Sequence, residues 1–203
     1  MAVTTKSSLL LGGIGVGGIG AWGGYKLMTA PQESIHSLVT KNGEHYLLST
    51  SSSADDSTWE KIISSKGSQI KKATGLSEVQ KKTLKEWCSK EKDFPPSRSY
   101  SLQNYKDFCT QFTIKGKAKS DNLQVIEEDD KDAWSTKNSS YTAQTTSSPK
   151  TLTFKVGSGA GEDKSFSDFE SVKAWCKGEW GNMFVETNDK TYESFKTWCT
   201  KSL

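Results

Sequence analysis

The four cysteines are the residues whose type and spacing could do chemistry, and each of them ends the same five-residue motif. The motif reads apolar residue, lysine, any residue, tryptophan or phenylalanine, cysteine. Its copies are LKEWC (84–88), YKDFC (105–109), VKAWC (172–176) and FKTWC (195–199). Because no cysteine of the chain lies outside a copy, the motif indicates one shared role for all four.

Cysteine thiolates can bind zinc or act as nucleophiles, but the rest of the sequence supports neither chemistry. A zinc site needs closely spaced cysteines or nearby histidines, and a nucleophilic thiol needs a base beside it. The two histidines, His36 and His45, precede all four motifs. The glycine pattern at 15–20 lacks the strand and the amphipathic helix of a nucleotide-binding loop. The sequence therefore predicts no catalytic residue, no metal site and no cofactor.

An internal repeat accounts for the four motifs. The offsets between copies are 88 residues, from Cys88 to Cys176, and 90 residues, from Cys109 to Cys199. The second match extends to ten residues, SLQNYKDFCT against TYESFKTWCT, and an earlier DDSTW recurs as DKDAW. We expect a tandem duplication, with repeat unit 1 at 55–129 and repeat unit 2 at 130–203.

Four cysteines in an exported protein favour two disulfide bridges. Three connectivities are possible, and the duplication favours Cys88–Cys109 together with Cys176–Cys199, one bridge inside each unit. The alternative is that all four are buried free thiols, which pack as small apolar groups beside aromatic rings.

Helical periodicity places the motifs on amphipathic helices. Leu76, Val79, Leu84 and Cys88 recur at the spacing of one helix face, and 166–176 shows the same stripe in the second unit. Each unit is therefore expected to be a helical hairpin with an aromatic residue and a cysteine on its buried face. The aromatic residues predicted to build the core are Trp59, Trp87, Phe108, Trp134, Trp175 and Trp198. Capping-box patterns predict helix starts at Ser57 with Glu60, Ser77 with Gln80, and Ser167 with Glu170.

Short strands are expected between the helices. Asn42-Gly43, between apolar runs, predicts a β-hairpin inside a linker at 31–54. Brief alternation predicts strands at 112–115, 123–126 and 152–156, whereas 127–132 and 136–149 are predicted to be solvated loops. The predicted fold class is α+β and mainly helical: an N-terminal membrane helix followed by a tandemly duplicated helical-hairpin ectodomain with short strands.

An uncharged stretch of nineteen residues, SSLLLGGIGVGGIGAWGGY at 7–25, lies between Lys6 and Lys26. As a helix it would be about 28 Å long, close to the thickness of a bilayer core. We expect residues 1–30 to be a signal-anchor helix that crosses the cell membrane once and leaves the body extracellular. A cleaved secretory signal and a soluble glycine-rich loop are the alternatives.

The composition excludes some classes of protein. Only 33% of residues are apolar, yet seven Trp, six Tyr and eight Phe are too many large aromatics for a disordered chain. Residues 31–203 hold 25 basic and 24 acidic side chains, a balance that argues against nucleic-acid binding. The sequence displays no paired carboxylates, serine–histidine set or phosphate loop, so we do not expect an enzyme.

The N-terminal segment and the motifs together carry a family resemblance. The segment is glycine-rich and ends near Pro31, and LKEWCSKE (84–91), VKAWCKGEW (172–180) and FKTWCTKSL (195–203) are the most specific parts. Over its whole length the chain resembles the large paralogous families of uncharacterised proteins of haemotropic mycoplasmas, with Phe108 in place of tryptophan as the clearest departure. The resemblance implies a wall-less, erythrocyte-associated bacterium and a protein at its single membrane.

These features predict a membrane-anchored, surface-exposed, non-enzymatic protein, and the resemblance implies a member of an antigenically variable repertoire. Its expected partners are the membrane, through residues 7–25, and a host surface or serum component. Polar loops at 49–57, 136–149 and 156–164 would face the host. The alternative is an extracytoplasmic binding module for a host protein or a nutrient, with its site between the two repeat units. An exported hydrolase is a third hypothesis.

Overall fold

The computed structural model describes residues 32–96, 99–145, 151–185 and 189–201. By its contacts the chain divides into Met1–Pro31 and Gln32–Leu203, and all described residues belong to the second unit. The predicted membrane helix at 7–25 lies outside them. In the described part of the chain, no helix has both the length and the apolar character needed to cross a membrane.

The described residues form an α+β fold that is mainly helical, with eight helices and two small antiparallel sheets. The helices are α1 (Ile35–Thr40), α2 (Asp56–Thr74), α3 (Lys81–Glu91), α4 (Ser99–Cys109), α5 (Ile114–Ser120), α6 (Lys131–Gln144), α7 (Phe169–Glu179) and α8 (Lys190–Cys199). The strands are β1 (His45–Leu47), β2 (Thr110–Phe112), β3 (Leu152–Val156) and β4 (Glu162–Phe166). Strand β1 pairs with β2, and β3 pairs with β4.

The predicted hairpin at Asn42-Gly43 is wrong, because the turn joins helix α1 to strand β1. The hydroxyl of Ser34 accepts a hydrogen bond from the Ser37 amide and starts α1. Ile35 and Val39 lie one helical turn apart and are both buried. Gly43 has a φ of 63°, the left-handed conformation that lets the chain reverse after the helix. Strand β1 then pairs with β2, which lies far along the chain, and His45 stands opposite Phe112.

Two further predictions, a loop at 136–149 and a strand at 112–115, differ from the structure. The run 136–149, predicted to be a loop, lies largely within α6, whose buried face holds Trp134, Lys137 and Tyr141. A lysine on the buried face hides the apolar periodicity of this helix. The predicted strand at 112–115 stops at Phe112, because Thr113 accepts a hydrogen bond from the Gly116 amide and starts α5.

The remaining predicted strands have different outcomes. Residues 152–156 form β3 with the expected bounds. Residues 123–126 form only an isolated bridge, from Val125 to Thr200. Three helices also start at residues other than those predicted. The N-cap residues are Asp55 for α2, Gln80 for α3 and Asp168 for α7. Local sequence offers several capping residues at each start, and packing of the helix decides among them.

The buried residues form two separate clusters, and these divide the chain near Thr113. One cluster is built from residues between Ile35 and Cys109, with Met183 packed against it. The other is built from residues between Ile114 and Cys199. The predicted linker at 31–54 therefore contributes core residues to the first cluster. Ile114 and Ile126, which precede the predicted boundary at 129/130, belong to the second cluster.

Both clusters are enclosed by the same architecture. In each half the chain runs through a short helix, a turn, an extended segment, a long helix and two helices that end in a second extended segment. The turns match closely, since Gly43 has a φ of 63° and Asn122 a φ of 61°. The extended segments also match: the Leu48 amide donates to the Cys109 carbonyl (3.1 Å), and the Ile126 amide donates to the Cys199 carbonyl (2.9 Å). We therefore divide the body into a first repeat at 34–112 and a second repeat at 113–201.

Each repeat carries one insertion relative to the other. The second repeat places the hairpin of β3 and β4 between α6 and α7. The first repeat has a longer connection between β1 and α2. Since the remaining elements correspond, these insertions are additions to a shared frame.

The two repeats are joined tightly at the start of α5. The Thr113 amide donates to the Glu44 carbonyl (3.0 Å), and the Thr113 hydroxyl donates to the Gly43 carbonyl (2.7 Å). The α7–α8 connection continues this contact, because the Phe184 amide donates to the Phe112 carbonyl (2.9 Å). A cavity of about 120 Å³ lies at this junction.

Candidate functional site

The four cysteines form two disulfide pairs, one in each repeat. Cys88 of α3 pairs with Cys109 of α4, with their Cα atoms 5.7 Å apart. Cys176 of α7 pairs with Cys199 of α8, with their Cα atoms 5.5 Å apart. Each bridge therefore fastens the last two helices of its repeat. Of the three possible connectivities, the structure has the one that the duplication favours.

Both bridges are completely enclosed by the core. The four cysteines are at most 1% exposed, and in each repeat they share a core cluster with packed aromatic rings. In the first repeat, the ring of Trp87 lies 6.4 Å from that of Phe108. In the second, the ring of Trp175 lies 4.7 Å from that of Phe154. Reductants and other thiols therefore reach the sulfur atoms only when the repeat opens.

Five of the six aromatic residues singled out in the sequence are buried: Trp59, Phe108, Trp134, Trp175 and Trp198. The sixth, Trp87, is only partly buried, at the edge of the first cluster. Two of the buried indoles have equivalent polar partners. Trp59 Nε1 donates to the Ser49 carbonyl (3.1 Å), and Trp134 Nε1 donates to the Glu127 carbonyl (3.0 Å). These tryptophans hold the segment between the extended strand and the long helix in both repeats.

Both repeats share one lysine contact that the sequence patterns do not predict, and the lysine is buried only in the second repeat. Lys66 of α2 donates from Nζ to the Asp107 carbonyl (3.1 Å), and Lys137 of α6 donates from Nζ to the Thr197 carbonyl (2.6 Å). Each acceptor lies two residues before the second cysteine of its repeat. Lys137 is only 7% exposed, and burial lowers the pKa of its ammonium group. Relative to the tryptophan of its own repeat, Lys66 lies one helical turn further along the chain than Lys137. An alignment of the two repeats by their tryptophans therefore does not pair the lysines.

A second missed contact belongs to the second repeat alone. The hydroxyl of Tyr192 on α8 donates to Asp121 Oδ2 (2.5 Å), at the turn that follows α5. Lys117 also donates to this carboxylate. Hydrogen bonds from Lys117 and Tyr192 lower the pKa of Asp121, and burial together with the Asp121 hydrogen bond raises the pKa of Tyr192. This network fastens α5 to α8.

The histidines do not meet each other or the cysteines. His36 is exposed on α1. His45 is half-buried, its ring stacks on Phe112 at 5.3 Å between centroids, and its Nδ1 lies 3.0 Å from Thr110 Oγ1. Burial and the nearby Lys106 ammonium lower the pKa of His45. Among the described residues, no group of three or more His, Cys, Asp or Glu side chains is arranged to hold a metal ion.

These contacts hold the helices of each repeat together. The sulfur atoms are bonded to each other, the aromatic rings pack in the cores, and one lysine of each repeat donates to a backbone carbonyl two residues before the second cysteine. In comparison with known proteins, the chain matches no protein-family model, and no curated protein or solved structure is detectably similar to it.

Proposed function

We propose that this protein is a non-enzymatic surface protein, anchored in the cell membrane by residues 7–25, with its two-repeat body outside the cell. In this role the disulfide-bonded helices form a durable frame, and the polar insertions form the surface that meets the host. The sequence resemblance to paralogous haemotropic mycoplasma proteins supports a place in an antigenically variable repertoire.

The observation that carries the proposal is the presence of one buried disulfide at the same position in each repeat. Disulfides persist in oxidising compartments and are rare in the reducing cytosol. Cys88–Cys109 and Cys176–Cys199 both close loops of just over twenty residues, with sequence separations of 21 and 23. A frame stabilised twice in the same way fits a body that works outside the cell.

The alternative, an exported binding module with its site between the repeats, has less support. The junction is occupied by hydrogen bonds from Thr113 to Gly43 and Glu44. A cavity between the start of α2 and the α7–α8 connection has a volume of about 120 Å³, below the range of about 300–1,000 Å³ that is typical of small-molecule sites. A binding role is therefore better sought elsewhere on the body.

Protease treatment of intact cells tests the proposed location. Antibody against the C-terminal residues follows the body, and a cytosolic protein serves as the control for intact membranes. We expect the full-length band to disappear while the control protein persists. A body that resists the protease until the cells are lysed contradicts the proposal, provided that purified protein is cleaved under the same conditions.

A further inference from the structure

A polar groove of about 550 Å³ lies in the first repeat, between the connection from β1 to α2 and helix α3. Its lining consists of five hydroxyl-bearing residues, three lysines and two acidic residues. All ten lining side chains are therefore polar, and their formal charge is +1.

The wall of the groove is held in place by its own hydrogen bonds. The hydroxyl groups of Ser49 and Ser52 lie 2.7 Å apart, and Ser49 Oγ accepts from the Ser52 amide (3.1 Å). The Ser49 amide donates to Asp55 Oδ2 (2.6 Å), and Lys85 Nζ donates to the Ser52 carbonyl (2.7 Å). A wall fixed in this way loses little conformational entropy when a ligand binds.

The floor of the groove is a satisfied charge network. Asp56 accepts from Lys81 Nζ (2.8 Å) and from Lys85 Nζ (2.7 Å), and Lys81 also donates to Glu60 (2.9 Å). These ammonium groups are already engaged and fix the shape of the floor.

Other polar groups of the groove have no such partner. The hydroxyl groups of Thr50, Ser51 and Ser53 and the ammonium group of Lys82 make no hydrogen bond or ion pair with another described residue, although all four residues line the groove. Three hydroxyls and one cation are thus available to a ligand.

The fold that the two repeats share can form without the residues that build the groove. Trp59 reaches the carbonyl of Ser49, six residues before the N-cap position Asp55. The equivalent Trp134 reaches the carbonyl of Glu127, three residues before the N-cap position Asp130. The second repeat therefore makes the same connection with three fewer residues. The extra residues of the first repeat build the wall that carries the unpartnered hydroxyls.

We propose that this groove binds a hydroxyl-rich ligand with one negative charge, the chemistry of an acidic sugar. The ammonium group of Lys82 pairs with the carboxylate, and the hydroxyls of Thr50, Ser51 and Ser53 exchange hydrogen bonds with sugar hydroxyls. The lining's single excess positive charge matches one carboxylate better than a doubly charged phosphate. This inference rests on the proposed function only for the location of the protein, because a body outside the cell would be in contact with such sugars.

Ligand-observed saturation-transfer NMR on oxidised full-length protein in detergent tests the site. The probes are glucuronate, a hyaluronan tetrasaccharide that carries glucuronate units, the neutral chitotetraose and inorganic phosphate. Lys82→Ala is compared with Lys71→Ala, which removes an exposed lysine of α2 outside the groove. The double variant Ser51→Ala/Ser53→Ala tests the hydroxyls. Non-reducing gels and melting temperatures verify that every variant is folded.

We expect both acidic probes to bind and Lys82→Ala to raise their Kd by about tenfold or more, as for the loss of a hydrogen bond to a charged group. Lys71→Ala should leave the Kd unchanged, and the double serine variant should raise it. Equal affinity for the two acidic probes would assign the site to a single sugar acid, and tighter binding of the tetrasaccharide to a glycan chain.

Three results overturn the proposal: no binding of either acidic probe, equal weakening by Lys71→Ala and Lys82→Ala, or binding of chitotetraose or phosphate as tight as that of the acidic sugars. These measurements use purified protein and do not depend on its location. Failure of the groove is therefore distinguishable from failure of the proposed surface role.

Discussion

Gly116 of the second repeat lies directly against the backbone of Glu44 in the first repeat. A Cβ atom built on Gly116 would stand 1.9 Å from the Glu44 carbonyl oxygen. Because backbone atoms cannot yield as a flexible side chain does, this position admits no side chain unless the repeats move apart. The two repeats are therefore closely packed against each other at this point.

The substitution Gly116→Ala should therefore destabilise the protein. Overpacking of a close contact costs about 1–3 kcal/mol, although alanine is ordinarily the better helix former by about 1 kcal/mol. Gly178 in α7 offers the matched control, because nothing lies within 4 Å of a Cβ atom at that position. Denaturant unfolding should show a loss for Gly116→Ala and a gain for Gly178→Ala. Two gains of equal size would show that the junction is not close-packed.

Trp59 and Trp134 should stabilise the protein by more than the burial of their apolar area provides. Trp134→Phe deletes an indole N–H that donates to the Glu127 carbonyl, and one such hydrogen bond contributes about 0.5–1.5 kcal/mol to stability. Trp175→Phe is the control, because the buried Nε1 of Trp175 has no hydrogen-bond partner among the described residues. The free energy of unfolding, measured for both variants, should fall further for Trp134→Phe. An equal fall would mean that the shared indole contact contributes nothing.

Each disulfide should stabilise its repeat by about 3 kcal/mol, as expected from chain entropy for loops of this length. The double variants Cys88→Ala/Cys109→Ala and Cys176→Ala/Cys199→Ala remove one bridge each without leaving a free thiol. We expect similar losses in the free energy of unfolding, since the two bridges occupy equivalent places. A large loss for one pair and none for the other would contradict the equivalence of the repeats.

Burial of Lys137 predicts a dependence of stability on alkaline pH. Burial lowers the pKa of this ammonium in the folded protein, so between that pKa and the ordinary value of about 10.4 the unfolded chain binds more protons. Stability from this group therefore rises with pH across that window. The difference in unfolding free energy between wild type and Lys137→Met should shift toward wild type as pH rises. A difference that stays constant with pH would place the amine in solvent.

The sequence permits prediction of the features that depend on local periodicity. The motif helices and strand 152–156 have apolar residues at regular spacing, and the sequence match of 101–110 with 191–200 relates the cysteines. The first part of each repeat is not recognisable in this way. Ser34 and Thr113 both start a helix, and Gly43 and Asn122 both adopt a positive φ. Their roles match while their identities differ.

Contacts between residues far apart in the sequence also cannot be predicted from local sequence patterns. The pairing of His45 with Phe112 joins segments that each look like a lone short strand, so Asn42-Gly43 suggested a hairpin instead. The groove of the first repeat was hidden for a different reason. Its serine-rich wall has the composition of any solvated loop, and only comparison with the shorter connection of the second repeat shows that it is an addition.

The redox state of the four cysteines in intact cells tests the central claim most directly. Cells are quenched with acid, denatured, and treated with a mass-tagged maleimide before and after reduction, and the protein is detected on a gel. We expect no tag before reduction and four tags after it, because two bridges in a body outside the cytosol leave no free thiol. Four tags before reduction would show reduced thiols in the cell and would contradict both the disulfide-bonded frame and the proposed location.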